Sequence, residues 1–205
     1  MAKRGYRGGH PYNDMKVSKH SESTSKRNPK LDAEYAKLHP KQKYSYIRDH
    51  QGFFPQATAT ITVADGDADS GMTEKESVVI TSTDGTVGTY VICDDDKTTV
   101  ATGDVLTAGS DTGTSTAGAG LAGGIAVTID LTGTEVKQNA FLVQLKAAIE
   151  HANSPLKDKV TVSAVPGQAD GNQAITLTQA DPGPDGNVTI TTDISQATPA
   201  GFTGG

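Results

Sequence analysis

The chain has 205 residues, with 18 Lys and Arg against 24 Asp and Glu for a formal net charge of −6, and it carries one Cys and no Trp. That length accommodates one domain or two and excludes a multi-module enzyme. A lone Cys93 excludes an internal disulfide, and no stretch approaches the ~18 apolar residues a membrane helix needs.

The net charge conceals a division at Phe54. Residues 1–54 hold 12 Lys and Arg against 5 Asp and Glu, a net of +7, whereas residues 55–205 hold 6 against 19, a net of −13. Polarity of this kind predicts a basic, extended arm (1–54) that engages an acidic partner surface, joined to a separately folded acidic body (55–205). Other residue types divide at the same place: five of six Tyr precede Pro55 and 26 of 27 Thr follow it, so the two parts are expected to do different physical work.

Met1 to Arg7 is basic and runs into Gly8-Gly9-His10-Pro11 rather than an apolar core, so no secretory signal is expected and synthesis in a reducing cytoplasm is the reading. Residues 1–28 show no apolar period and should order only on a partner; fully extended at ~3.3 Å per residue they would reach on the order of 90 Å. From Asn28-Pro29, a cap followed by a first helical residue, Leu31, Tyr35 and Leu38 recur at helical spacing and predict a short helix to about His39. Pro40 stops it. A second short helix is expected over 41–50, with Tyr44 and Ile47 on one side, and Gly52-Phe53-Phe54-Pro55 closes the arm. Aromatic residues and Arg dominate protein interfaces, so the partner-binding candidates are Lys3, Arg4, Tyr6, Arg7, Tyr12, Tyr35, Tyr44, Phe53 and Phe54. Nucleic acid fits the arm less well, because a body of charge −13 repels a duplex and no nucleic-acid fold is recognisable.

After Pro55 the period becomes two. Ala57 to Val63 alternates apolar residues with threonines, as a half-buried antiparallel strand does. Ser77–Thr81 and Thr89–Cys93 flank Asp84-Gly85, a dipeptide suited to a hairpin turn. Further strands are predicted at 125–131, 160–164, 174–178 and 188–191. Over 137–153, Phe141, Leu145, Ala148, Ile149 and Ala152 form one apolar stripe with Lys146 and Glu150 opposite, which predicts an amphipathic helix ended by Pro155. The fold class is therefore α+β, mainly β: about seven antiparallel strands with one helix packed on a sheet.

Motifs with chemical meaning are sparse. Gly118-Ala119-Gly120-Leu121-Ala122-Gly123 has the dinucleotide spacing, yet a strand rather than a helix follows, so it is read as a loop. Asp65-Gly66-Asp67-Ala68-Asp69 with Glu76 imitates a calcium loop without its glycine in register, and Asp94-Asp95-Asp96 is read as solvated carboxylates. His151 is expected to be an exposed helix histidine. Cys93, beside three aspartates, should be a poor thiolate. The terminal Gly204-Gly205 ends a segment, Pro199 to Thr203, that is read as loop.

One resemblance rests on the order of segments: Ala57–Val63, Thr83-Asp84-Gly85-Thr86 into Thr89–Ile92, Asn139–Ile149, Ile175–Thr178, Pro182–Asn187 and Phe202–Gly205. Together they resemble a Thr- and Gly-rich β domain that recurs in virion structural proteins of tailed bacteriophages, covering most of 57–205. The arm resembles no known family. The resemblance implies a non-enzymatic particle component, most simply a capsid decoration or cement protein held by its arm. Neck, tail or fibre component, host-surface adhesin and nucleic-acid binder stand as alternatives. The expected partners are other virion proteins, the major capsid protein or neck and tail proteins, and the chain's own copies, with no membrane and no cofactor or metal. Threonine-faced strands and an acidic charge that keeps many copies soluble and discourages self-association suit a displayed module.

Overall fold

The computed structural model describes residues 36–38, 54–64, 72–96, 100–107, 122–131, 137–167 and 171–205. The chain divides into two compact units, Met1–Pro55 and Gln56–Gly205. Both short helices expected in the arm fall almost entirely outside the described residues.

The second unit is α+β and mainly β, with eight strands in two sheets and one helix among the described residues. The strands are β1 (Thr58–Val63), β2 (Ser77–Thr81), β3 (Val87–Asp94), β4 (Ile125–Ile129), β5 (Val160–Val162), β6 (Gln173–Gln179), β7 (Thr191–Thr192) and β8 (Ala197–Thr203); the helix α1 spans Lys137–Glu150. One sheet has the order β5-β6-β1-β8 and the other β4-β3-β2-β7. Strict alternation sorts β1: Ala59, Ile61 and Val63 are buried while Thr58 and Thr60 are exposed. The same period in β6 buries Ile175 and Leu177. Inner residues of both sheets, including Ile61, Ile80, Ile92, Val127 and Leu177, share one core with Phe141, Leu145 and Ile149 of α1. Each such side chain, fully buried, contributes about 1.5–3 kcal/mol. As expected, β2 and β3 form an antiparallel hairpin; Ser82 N–H donates to Thr86 O at 2.9 Å and Gly85 takes φ +83°, a conformation that favours glycine.

Four expectations need correction. The pairing is not wholly antiparallel, because β3 and β4 run parallel with Tyr90 opposite Ile125 and Asp94 opposite Ile129. The long connection between them returns the chain to the end where β3 began, as parallel pairing demands. The tail read as loop is strand β8, paired antiparallel to β1. Pro199 and Gly201 break its alternation, yet Phe202 is buried and Gly201 lies close to the Val188 carbonyl, where a larger residue would crowd it. The strand predicted at 188–191 is shorter and later, Thr191–Thr192. Finally, α1 ends at Glu150, so Ala152 lies beyond it and is exposed, while Leu142 takes a place in the buried stripe. His151 closes the helix instead: its Nδ1 accepts from Asn153 N–H at 3.3 Å.

Buried polar groups fasten the layers. Gln179, fully buried in β6, accepts from Thr83 N–H at 3.0 Å through Oε1 and donates to Thr81 O at 2.9 Å through Nε2, tying one sheet to the hairpin of the other. Tyr90 and Ser154 share a buried hydroxyl contact of 2.8 Å.

Candidate functional site

Of the nine partner-binding candidates, Lys3, Arg4, Tyr6, Arg7, Tyr12, Tyr35, Tyr44 and Phe53 lie outside the described residues, and Phe54 is buried, with 2% of its surface exposed. The dinucleotide-like loop lies mostly outside them too, as do residues 65–71 of the calcium-like loop.

Among the described residues, Cys93, Tyr90 and His151 are engaged in packing. Cys93 is buried, and that burial together with the nearby Glu74 charge pushes its thiol up to about 11, far from a thiolate at neutral pH. Burial pushes Tyr90 up to about 12. The expectation of a freely exposed His151 is revised: its ring covers Gly103 closely enough that any side chain there would collide with it. Gly103 also accepts from Asn153 Nδ2 at 3.2 Å. The terminal Gly205 is buried, its N–H donating to Asn187 Oδ1 at 3.0 Å and its carbonyl accepting from Asn187 Nδ2 at 3.3 Å.

Parallel pairing gathers one group of charges that linear reading divides. Because β3 and β4 end side by side, with Asp95 N–H donating to Ile129 O at 3.0 Å, the carboxylates of Asp94, Asp95, Asp96 and Asp130 come within 4.8 Å of one another. Asp94 is fully buried and its Oδ1 accepts from Asp96 N–H at 3.3 Å. Partial burial and the charges of Asp130, Asp96 and Asp94, in that order, raise the Asp95 pKa. An all-oxygen set of this kind has the ligand chemistry of a hard divalent cation such as calcium. Asp130 was not legible as a member, since only the parallel register brings it to Asp94.

Among the described residues, the outer face of the β5-β6-β1-β8 sheet is lined by threonines and alanines. Register places Thr161, Thr178, Thr58 and Thr203 in one row across the four strands, Thr176, Thr60 and Ala200 in a second, and Ala174, Thr62 and Thr198 in a third. No residue of these four strands is ionisable. The outer face of the other sheet is different, because Val91, Cys93 and Ala126 are buried beneath Leu106 and Val100.

Comparison with known proteins returns no matching family model, no matching curated protein and no matching solved structure.

Proposed function

We propose that the chain is a structural component of a bacteriophage virion, a capsid decoration or cement protein whose basic arm lies on shell subunits while the acidic body stands outward. The observation that carries this reading is the reversal of charge at Phe54, +7 before it and −13 after it, coinciding with the start of a body that has its own core. A basic segment such as residues 1–28, without an apolar period, gains order by lying on another surface, and Tyr and Arg are the side chains best suited to hold it there. The body is compatible with the same reading: the outer face of its β5-β6-β1-β8 sheet is threonine-lined, and its Cys, Tyr and His are engaged in packing. The resemblance of the body's segments to virion β domains points the same way.

The test is particle binding. The full chain mixed with shells lacking it should co-sediment with them, and reversing Lys3, Arg4 and Arg7 to Glu should lower occupancy at least tenfold. Undiminished occupancy would remove the anchoring role. Counting copies per particle separates shell from neck, tail or fibre, since shell proteins run to far higher numbers.

A further inference from the structure

Strand order and register give the second unit two distinct ends. β1 starts at Thr58 opposite Thr178 of β6, and the hairpin 82–86 and the start of β5 lie at that same end. Gln179 N–H donates to Ala57 O at 2.9 Å, Thr83 Oγ1 to Asp181 O at 3.2 Å and Gln56 Nε2 to Ala180 O at 2.7 Å, while Gly205 lies beside the Gly183 carbonyl and Ala57. The end at which the unit begins is thus a set of turns fastened to one another. β1 finishes at Val63, β3 at Asp94 and β4 at Ile129, all at the opposite end.

Charge is divided between the two ends. Lys75 N–H donates to Ile92 O at 3.0 Å and Ile92 N–H to Glu76 O at 2.8 Å, which sets residues 74–76 beside the last residues of β3. Among the described residues, Glu74, Glu76, Asp94, Asp95, Asp96 and Asp130 therefore share the far end, with Lys75 between them. The near end has Asp84 paired with Lys159 at 2.7 Å, Lys157 and Asp158 of opposite sign in the turn before β5, and the exposed Asp181 and Asp185. It also carries Val87, 53% exposed, on the hairpin rung opposite Thr81.

A surface that holds a basic arm is itself acidic, so it repels the far end more strongly than the near one. The near end is also the one that the Pro55–Gln56 bond ties to the arm. Tethering makes a second contact intramolecular, and turns that are already fastened lose little freedom on docking, so a small contact is enough. We propose, resting on the reading of the arm as a shell anchor, that the near end, built from residues 83–87, 180–187 and Gly205, is a second docking surface for the same shell subunits. The acidic far end then points away from them.

Cysteines introduced one at a time into the full chain test it, since Cys93 is buried. Val87→Cys and Asp181→Cys probe the near end, Thr73→Cys and Ser195→Cys the far end, and all of these positions are exposed. Maleimide modification is timed with the chain free and with it bound to shells that lack it. Binding should slow the near-end pair by roughly tenfold or more and leave the far-end pair unchanged. On the same shells Val87→Asp should lower occupancy severalfold, whereas Val143→Asp, exposed on α1, should not; far-UV circular dichroism checks that both keep the fold. A chain that co-sediments with all the introduced cysteines equally reactive, or with the far-end pair protected, overturns this inference and leaves anchoring by the arm standing. A chain that does not co-sediment at all removes the anchoring and this inference together.

Discussion

The two sheets share a core but treat their outer faces in opposite ways. In β1 and β6 every second residue is an outward-facing threonine or alanine, so a substitution there changes little but the surface. In β4-β3-β2-β7 the outward Val91, Cys93 and Ala126 are as buried as the core and lie beneath Leu106. One sheet is a half-buried layer finished by its own side chains; the other is finished over the ends of β3 and β4 only when a connecting segment folds over it. The lesson is that the chain between β3 and β4 is structural cover as well as linker.

The largest effect should come from placing a charge under that cover. Ala126→Asp buries a carboxylate without a partner and should cost about 3 kcal/mol or more, whereas Thr60→Asp on the open face should stay within about 0.5 kcal/mol; urea denaturation of both variants compares them. Leu106→Ala should cost about 2–5 kcal/mol. If it costs no more than an exposed substitution, residues 100–107 are not cover and the contrast between sheets is lost. Next comes the fastening between sheets: Gln179→Ala leaves the Thr83 N–H and Thr81 carbonyl unpaired and should cost roughly 1–3 kcal/mol.

Acid should act with opposite signs at two carboxylates. Lys159 donates to Asp84 Oδ2 at 2.7 Å, and this contact together with the Ser82 hydroxyl holds the Asp84 carboxyl well below the usual range. Stability from Asp84 is thus present above its unfolded pKa of ~3.9 and lost as pH falls further. Asp95 is raised, so its charged form weakens the fold at neutral pH and protonation relieves it as pH falls. Asp95→Asn should therefore raise the thermal midpoint at neutral pH by about 1–2 °C, with the gain vanishing in acid. Calcium should reverse the preference at neutral pH if the four carboxylates take it up, stabilising the native chain more than the variant. The smallest effect is Lys159→Met: its pair with Asp84 is half exposed, and such pairs contribute about 0–1 kcal/mol.

The contrast between sheets also explains what could be read in advance. β1 and β6 were legible because one face is wet and the other dry, which leaves a strict period of two. Tyr90 to Asp94 is buried on both faces, so it identifies a strand without saying what covers it. β8 was missed because Pro199 and Gly201 interrupt the alternation at positions where the backbone, not the side chain, decides the fit. The acidic cluster was half visible: Asp94 to Asp96 stand together in the sequence, but Asp130 joins them through a parallel register that no local pattern encodes. The helix was found and its final turn misjudged, since His151 and Asn153 end it before Pro155 can.

Burial of Cys93 has a practical consequence. With its sulfur enclosed and its proton tightly held, the native body should be silent toward maleimides and iodoacetamide at neutral pH. A cysteine introduced at Tyr6 or Tyr12 could then be labelled alone, without first removing the natural one. The rate at which Cys93 itself slowly reacts would report how often the covered sheet opens, giving a built-in gauge of the body's integrity while the arm is being probed.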